Sequence, residues 1–192
     1  MPRESVKDQI IAAAVDALHS KGFNGTSVQD ITDAAKVPKG SFYNHFGSKE
    51  ELAVAALDRY WQWVLAGLQP LSDPSMPPMD RLRQYFGRLA ERGRTREYRT
   101  GCMIGNMSTE MPDQSRAMRE RLAVVLAAWS RAIESCVREA QGDGSIRSDL
   151  DAGTVAAFLL NSFEGAIMRS KVDKHAASFA AFEEVVFTTL AP

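Results

Sequence analysis

Residues 26 to 52 crowd the starts of three helices and a tight turn into one short stretch, and this limits the folds open to the chain more than any other feature. Thr26 and Ser27 are hydroxyl residues suited to cap a helix, and Asp30 follows Ser27 by three positions, as in a capping box. Val28, Ile31, Ala34 and Ala35 then fall on one helical face. Pro38 drives Val37 out of the α region, so the run breaks there and a second helix can begin at Pro38 or Lys39. This second helix reads Lys39 to Phe46, too short and too polar for a core helix. Phe42 and Phe46 stand i,i+4 and can pack inward, which leaves Lys39, Ser41, Tyr43, Asn44 and His45 for the outside. Gly47 ends it, and Ser48 with Glu51 makes a capping box for the next helix. The spacing predicts a helix-turn-helix.

The chemistry of that stretch is as pointed as its geometry. From Lys36 through Lys49 there are three lysines, one histidine and no acid. Residues 1 to 50 as a whole are balanced, so the positive charge is focused. Lysines and hydroxyls near a helix N-terminus suit phosphates, and short polar side chains on the same helix can reach base edges in a major groove. Double-stranded DNA is the partner this pattern fits.

The run from Val37 to Leu52 resembles the recognition segment of the TetR family of transcriptional regulators. Its typical form has a small residue, Lys, Gly, a hydroxyl residue, an apolar residue, Tyr, a variable residue, His and Phe. The likeness extends back through Gly22-Phe23 and Thr26-Ser27 to the first helix, covering roughly sixty residues. It implies that Thr26, Ser27, Tyr43, His45 and Lys49 bind phosphates, that Lys39, Ser41 and Asn44 lie nearest the bases, and that Gly40 lets the backbone approach DNA closely. Pro38 stands where many members carry a serine, and it has no hydroxyl to offer. The implied fold is all-α, an N-terminal three-helix helix-turn-helix domain followed by a helical ligand-binding and dimerisation domain. The implied function is a ligand- or stress-responsive regulator, most often a repressor, that holds operator DNA as a homodimer and releases it to an inducer.

Composition bounds the rest. A chain of 192 residues with 45% apolar side chains can build one large or two small domains. With a net charge of -1 and a pI near 6.3, nonspecific attraction to nucleic acid is weak, and binding must come from the local patch on two copies. No N-terminal apolar run and no stretch of eighteen apolar residues appear, so a cytoplasmic place is expected and a membrane is not. Cys102 and Cys136 with three scattered histidines lack metal-ligand spacing, so no metal or cofactor is expected.

Helical periodicity continues beyond the head. The expected division is a DNA-binding domain over residues 1–50, a linking helix to about 68, a Pro-rich loop from Gln69 to Pro78, and a helical regulatory domain over 79–192. Gly93 to Gly101 reads as a polar break. The last two helices carry wide apolar stripes, Phe158, Phe163 and Ile167 on one and Phe179, Phe182, Val186 and Leu190 on the other. Such stripes can close a monomer core or meet a second copy, and the pattern alone does not choose. The family likeness implies the dimer.

Candidates for a ligand pocket are Tyr85, Phe86, Leu89, Met103, Ile104, Met107, Met111, Met118, Leu122, Trp129, Phe158 and Phe163, mixed with Asn161 and Ser162. The segment from Gly101 to Asn106 is more specific. Cys102 beside a glycine, near a helix N-terminus and after Arg92, Arg94, Arg96 and Arg99, has the setting of an activated thiol. The segment is also similar to that of the NemR-like subgroup, whose members sense electrophiles or oxidants. Cys102 is therefore either a switch or an inert core thiol, and Cys136, between Ile133 and Val137, reads as core. Seven arginines between Arg81 and Arg99 read as a solvated face, with an anionic effector as the other possibility. Two further classes stay open from sequence: a helical adaptor, and a small cysteine-dependent enzyme using Cys102 with His19, His45 or His175.

Overall fold

The computed structural model describes residues 5–192. The chain is all-α. Its helices are α1 (Val6–Lys21), α2 (Val28–Ala34), α3 (Lys39–Tyr43), α4 (Lys49–Gly67), α5 (Pro78–Thr95), α6 (Met103–Glu110), α7 (Arg116–Gly142), α8 (Ala152–Asp173) and α9 (Ala177–Thr189), with a 3-10 turn over Gln69–Ser72. No helix among the described residues is long and apolar enough to cross a membrane.

Local chemistry sets the ends of these helices. The Ser5 side chain accepts the Asp8 amide at 3.1 Å to start α1, and Asp151 accepts the Thr154 amide at 2.8 Å to start α8. The capping box at Ser27 and Asp30 is complete. At α4 the Ser48 hydroxyl accepts the Glu51 amide at 3.1 Å, but Glu51 reaches back past Ser48 to the Gly47 amide at 2.8 Å. The same sequence signature therefore holds one residue more of the preceding turn.

The chain divides into two compact units. One comprises residues up to Trp63 together with Cys102–Val124, and the other Val64–Gly101 with Val125–Pro192. The first unit closes over Ile10, Ala14 and Leu18 of α1, Ile31 of α2, Phe42 of α3 and Leu52, Ala53, Ala56 and Leu57 of α4, all without solvent exposure. Each large side chain buried this way contributes about 1.5–3 kcal/mol. Met103, Ile104 and Met107 of α6 are equally buried, and α6 packs on α1. Glu110 at the end of α6 accepts the Asn24 amide at 3.0 Å, Gly22 has φ +77 with Glu110 against its open side, and Arg121 of α7 pairs with Asp58 of α4.

An aromatic cluster centres the second unit. Phe86 lies 5.0 Å from both Phe163 and Phe182, and Phe163 lies 5.3 Å from Phe179. Tyr85 accepts the Trp129 indole N–H at 2.6 Å, so the two polar atoms of buried rings satisfy each other. Gly93 does not break α5, which runs on to Thr95. A Cβ at Gly93 would stand 3.4 Å from the Phe179 ring, so a glycine that reads as a breaker is a packing position. Arg81 is not part of a solvated face. It is 6% exposed and donates to Glu139 at 2.7 Å and to the Met76 carbonyl at 2.8 Å.

Candidate nucleic-acid interface

The turn between α2 and α3 is built by backbone bonds that no glycine announces. Lys36 has φ +55, its amide donates to Asp33 at 3.1 Å, and the Val37 amide donates to Thr32 at 3.0 Å. This is a Schellman closure with a lysine in the left-handed position, where a β-carbon costs roughly 1–2 kcal/mol. The result is an exposed ammonium on the tip of the turn. Pro38 (φ -60, ψ 143) then caps α3, and its fixed φ places Lys39 to begin the helix.

Within α3 the ring of Phe42 is fully buried and Phe46 is 3% exposed, their centroids 5.8 Å apart. They form the floor. On the outside stand Lys39, Gly40, Tyr43, Asn44 and His45, with Ser41 half-buried. Tyr43 is 61% exposed, its ring edge resting on Phe42 at 5.0 Å. A Cβ at Gly40 would meet nothing within 4 Å, so its missing side chain serves no packing need inside the chain and leaves the helix surface open. Ser27 is exposed at the start of α2, where its hydroxyl bonds to Asp30 at 2.5 Å. That hydroxyl first, and then the Ser27 amide, hold the Asp30 carboxyl below its ordinary pKa.

Two expected phosphate ligands are turned inward. Thr26 is 1% exposed, and its hydroxyl donates to the Gly22 carbonyl at 2.7 Å, because the α1–α2 connection leaves carbonyls that need a donor. Lys49 donates to the carbonyls of Phe23 and Thr26, each at 2.9 Å, with its ammonium 4.0 Å from the Phe23 ring centroid. Both side chains fix the connection and hold the reading surface in place.

The expected sensor residues fall in two groups. Cys102 is the N-cap residue of α6 and 6% exposed; Met103 is fully buried and Asn106 half-buried. These three belong to the first unit, whereas Trp129, Phe158, Asn161 and Ser162 belong to the second. Trp129 is 2% exposed and held by Tyr85, and Ser162 is half-buried. Phe158 and Asn161 are on the exposed face of α8, so neither lines an interior pocket. Cys136 is fully buried, and burial pushes its thiol pKa up to about 11.

The expected dimer residues need a similar correction. Phe163, Phe179, Phe182, Val186 and Leu190 are all under 8% exposed, since the aromatic cluster consumes them, and Ile167 is half-buried. Of the expected set only Phe158 is exposed, at 56%, and the other exposed large apolar residues of α8 and α9 are Met168, Val172 and Val185, at 65%, 73% and 60%. The most apolar positions of each stripe are also the positions that a single chain's core needs most.

Comparison with known proteins adds to this geometry. Residues 10–56 match the model for bacterial regulatory proteins of the tetR family, and residues 78–186 match the tetracyclin repressor-like C-terminal domain. The chain is 37% identical over 193 residues to the HTH-type transcriptional repressor DhaR of Mycobacterium sp. strain GP1, covering 100% of this chain and 96% of that protein. It is 37% identical to the transcriptional regulator AcuR of Cereibacter sphaeroides, over 85% of this chain and 75% of that one. Among solved structures, regulatory protein TetR from Rhodobacter sphaeroides superposes with a TM-score of 0.90 at 31% identity, covering 95% and 97% of the two chains. Reduced NemR of E. coli shares the fold, with a TM-score of 0.86 at 21% identity over 97% and 98%.

Proposed function

Because the chain belongs to the tetR family of bacterial regulatory proteins, we propose that it is a cytoplasmic repressor that holds operator DNA as a homodimer and releases it on a small-molecule or electrophilic signal. The observation that carries this reading is the acid-free outer surface of the α2–α3 turn and α3. Residues 1–50 form the reading head, α4 to about 68 the link, and 79–192 the regulatory part. Lys36 supplies a cation to phosphates, and so does Lys39, which at the exposed start of α3 goes to the backbone and not to the base edges that the family likeness implies; Ser27, Tyr43 and His45 are further donors, while Ser41 and Asn44 face base edges and Gly40 admits the backbone. Thr26 and Lys49 act as braces. The repressor sense follows the name of the relative DhaR.

Salt titration tests the interface. With two lysines per head, Lys36 and Lys39, assigned to phosphates, a dimer is expected to show a log-log slope of about -4 between operator affinity and salt concentration. Lys39→Gln should weaken all sequences alike and lower the slope by about 2, one for each head. Asn44→Ala should alter base preference and leave the slope in place. Affinity indifferent to salt would contradict the assignment.

The electrophile branch rests on Cys102 and α6. Cys102 is the N-cap residue of α6, and the first turn of that helix presents amides that lack helical partners. At 6% exposure, the thiol has no room for an adduct unless the start of α6 shifts. The other end of α6 holds the Asn24 amide, beside the α1–α2 connection that Thr26 and Lys49 brace, so such a shift reaches the reading head through one packed unit. Treatment with N-ethylmaleimide is expected to release operator from the native protein and not from Cys102→Ser. Cys136, with its raised pKa, should stay unmodified near neutral pH. Equal release from both proteins would reject the thiol role.

A further inference from the structure

The second unit contains an open cleft of about 490 Å³; of the pocket residues expected from the sequence, Tyr85 and Leu89 line it, while Cys102, Met103, Trp129 and Phe158 do not. Its walls are the last turn of α4 (Ala66, Gly67), the 3-10 turn with the residues after it (Gln69, Pro70, Ser72, Asp73, Pro74), and one face of α5. Gln84, Tyr85, Arg88, Leu89 and Arg92 come from α5. The volume is that of a small-molecule site.

Arg88 and Arg92 stand one helical turn apart on the same face, close enough for two guanidinium groups to grip one carboxylate or phosphate by paired N–H bonds. A Cβ at Gly67 would stand 3.4 Å from the Arg92 guanidinium, so that group lies against the end of α4. The single acid on the wall, Asp73, is turned to Ser75, accepting its hydroxyl at 2.6 Å and its amide at 2.9 Å. Leu89, Pro70, Pro74 and the edge of Tyr85 make an apolar floor, while Gln69, Gln84 and Ser72 add neutral donors.

We infer that this cleft binds an organic anion, a carboxylate or phosphate head carried on an apolar body, and that the anion is an effector of operator binding. The effector part rests on the function proposed above. The head sits between Arg88 and Arg92, and the body lies on Leu89 and the prolines. The argument for an effect on DNA is continuity: α4 starts at Lys49, directly after the reading head, and ends at Gly67 in the cleft wall. A ligand that bonds both α5 and the turn after α4 fixes the position of that last helical turn.

The test uses the full-length protein without DNA, titrated calorimetrically with octanoate and octyl phosphate. Octan-1-ol and inorganic phosphate are the comparison probes. Both amphiphilic anions should bind at least about tenfold more tightly than either comparison probe, as loss of a charge-assisted pair or of the apolar contact predicts. The double variant Arg88→Gln/Arg92→Gln should weaken them about tenfold or more at an unchanged melting temperature, and Arg131→Gln on α7 should not. Saturating anion should then shift operator affinity about fivefold or more, the usual lower range of coupling. Octan-1-ol binding as tightly as octanoate, or anion binding unchanged in the double variant, would overturn the site. Anion binding with unaltered operator affinity would overturn the effector role. Operator affinity measured without anion is a separate arm: a protein that takes up octanoate but no DNA contradicts the repressor reading and leaves the cleft standing.

Discussion

Phe42→Ala is expected to abolish measurable operator binding and to lower the melting temperature by the order of 10 °C. The ring is fully buried, and truncating such a phenylalanine costs about 3–5 kcal/mol in lost transfer energy and residual cavity. For a protein of this length each kcal/mol lowers the midpoint by about 2–4 °C. The effect on DNA binding should exceed the effect on stability, because α3 has only five residues. A helix of one turn has too few internal hydrogen bonds to hold its own shape. Phe42 and Phe46 are the buried side chains that set its orientation, and without Phe42 the residues Lys39, Tyr43, Asn44 and His45 lose their common face. Tyr43→Ala makes the contrast. That ring is 61% exposed, so its loss should weaken operator binding and leave the melt nearly unchanged. Circular dichroism melts with fluorescence-anisotropy titration of operator DNA separate the two. A Phe42→Ala protein with native affinity would show that α3 is held by something other than its aromatic floor.

What the sequence makes legible here is short-range. The boxes at Ser27 with Asp30 and at Ser48 with Glu51 are three-residue signals, and the helices begin where those signals stand. The exposed set on α3 follows from i,i+4 spacing of two phenylalanines. What stays hidden depends on partners far along the chain. Lys49 and Thr26 look like free donors until the α1–α2 connection supplies carbonyls. Arg81 looks solvated until Glu139 closes on it, and Glu110 gives no local hint that it holds Asn24. Lys36 in a left-handed position is invisible for another reason, since its cost is offset by two backbone bonds that any residue could make. The stripes of α8 and α9 show that both helices are amphipathic, but periodicity does not say which side of a broad stripe meets the core. The aromatic cluster of Phe86, Phe163, Phe179 and Phe182 decides that, and it assembles from three helices.

That decision moves the dimer prediction to a different set of residues. Met168→Glu combined with Val172→Glu is expected to convert a dimer to a monomer and to reduce operator affinity about a hundredfold or more. Both side chains are more than 60% exposed in one chain, so the substitutions should change the stability of a single subunit by no more than about 0.5 kcal/mol. In a dimer they would place carboxylates in an apolar contact, where an unpaired charge is costly. Gly165 lies between Phe158 and Met168 on the same exposed side, with nothing within 4 Å of an added Cβ, which allows a second helix to come close. The fall in affinity follows from linkage: the second head of a dimer binds at an effective concentration near millimolar, an advantage of about 100- to 10,000-fold that a monomer lacks. Phe163→Ala should behave in the opposite manner, losing about 3–5 kcal/mol of stability while the surviving folded protein remains dimeric. Size-exclusion chromatography with light scattering reads the mass, and operator titration reads the affinity. A double-glutamate variant that stays dimeric would place the interface on some face other than the exposed side of α8, and the spacing of the two reading heads would then have to be sought from that other face.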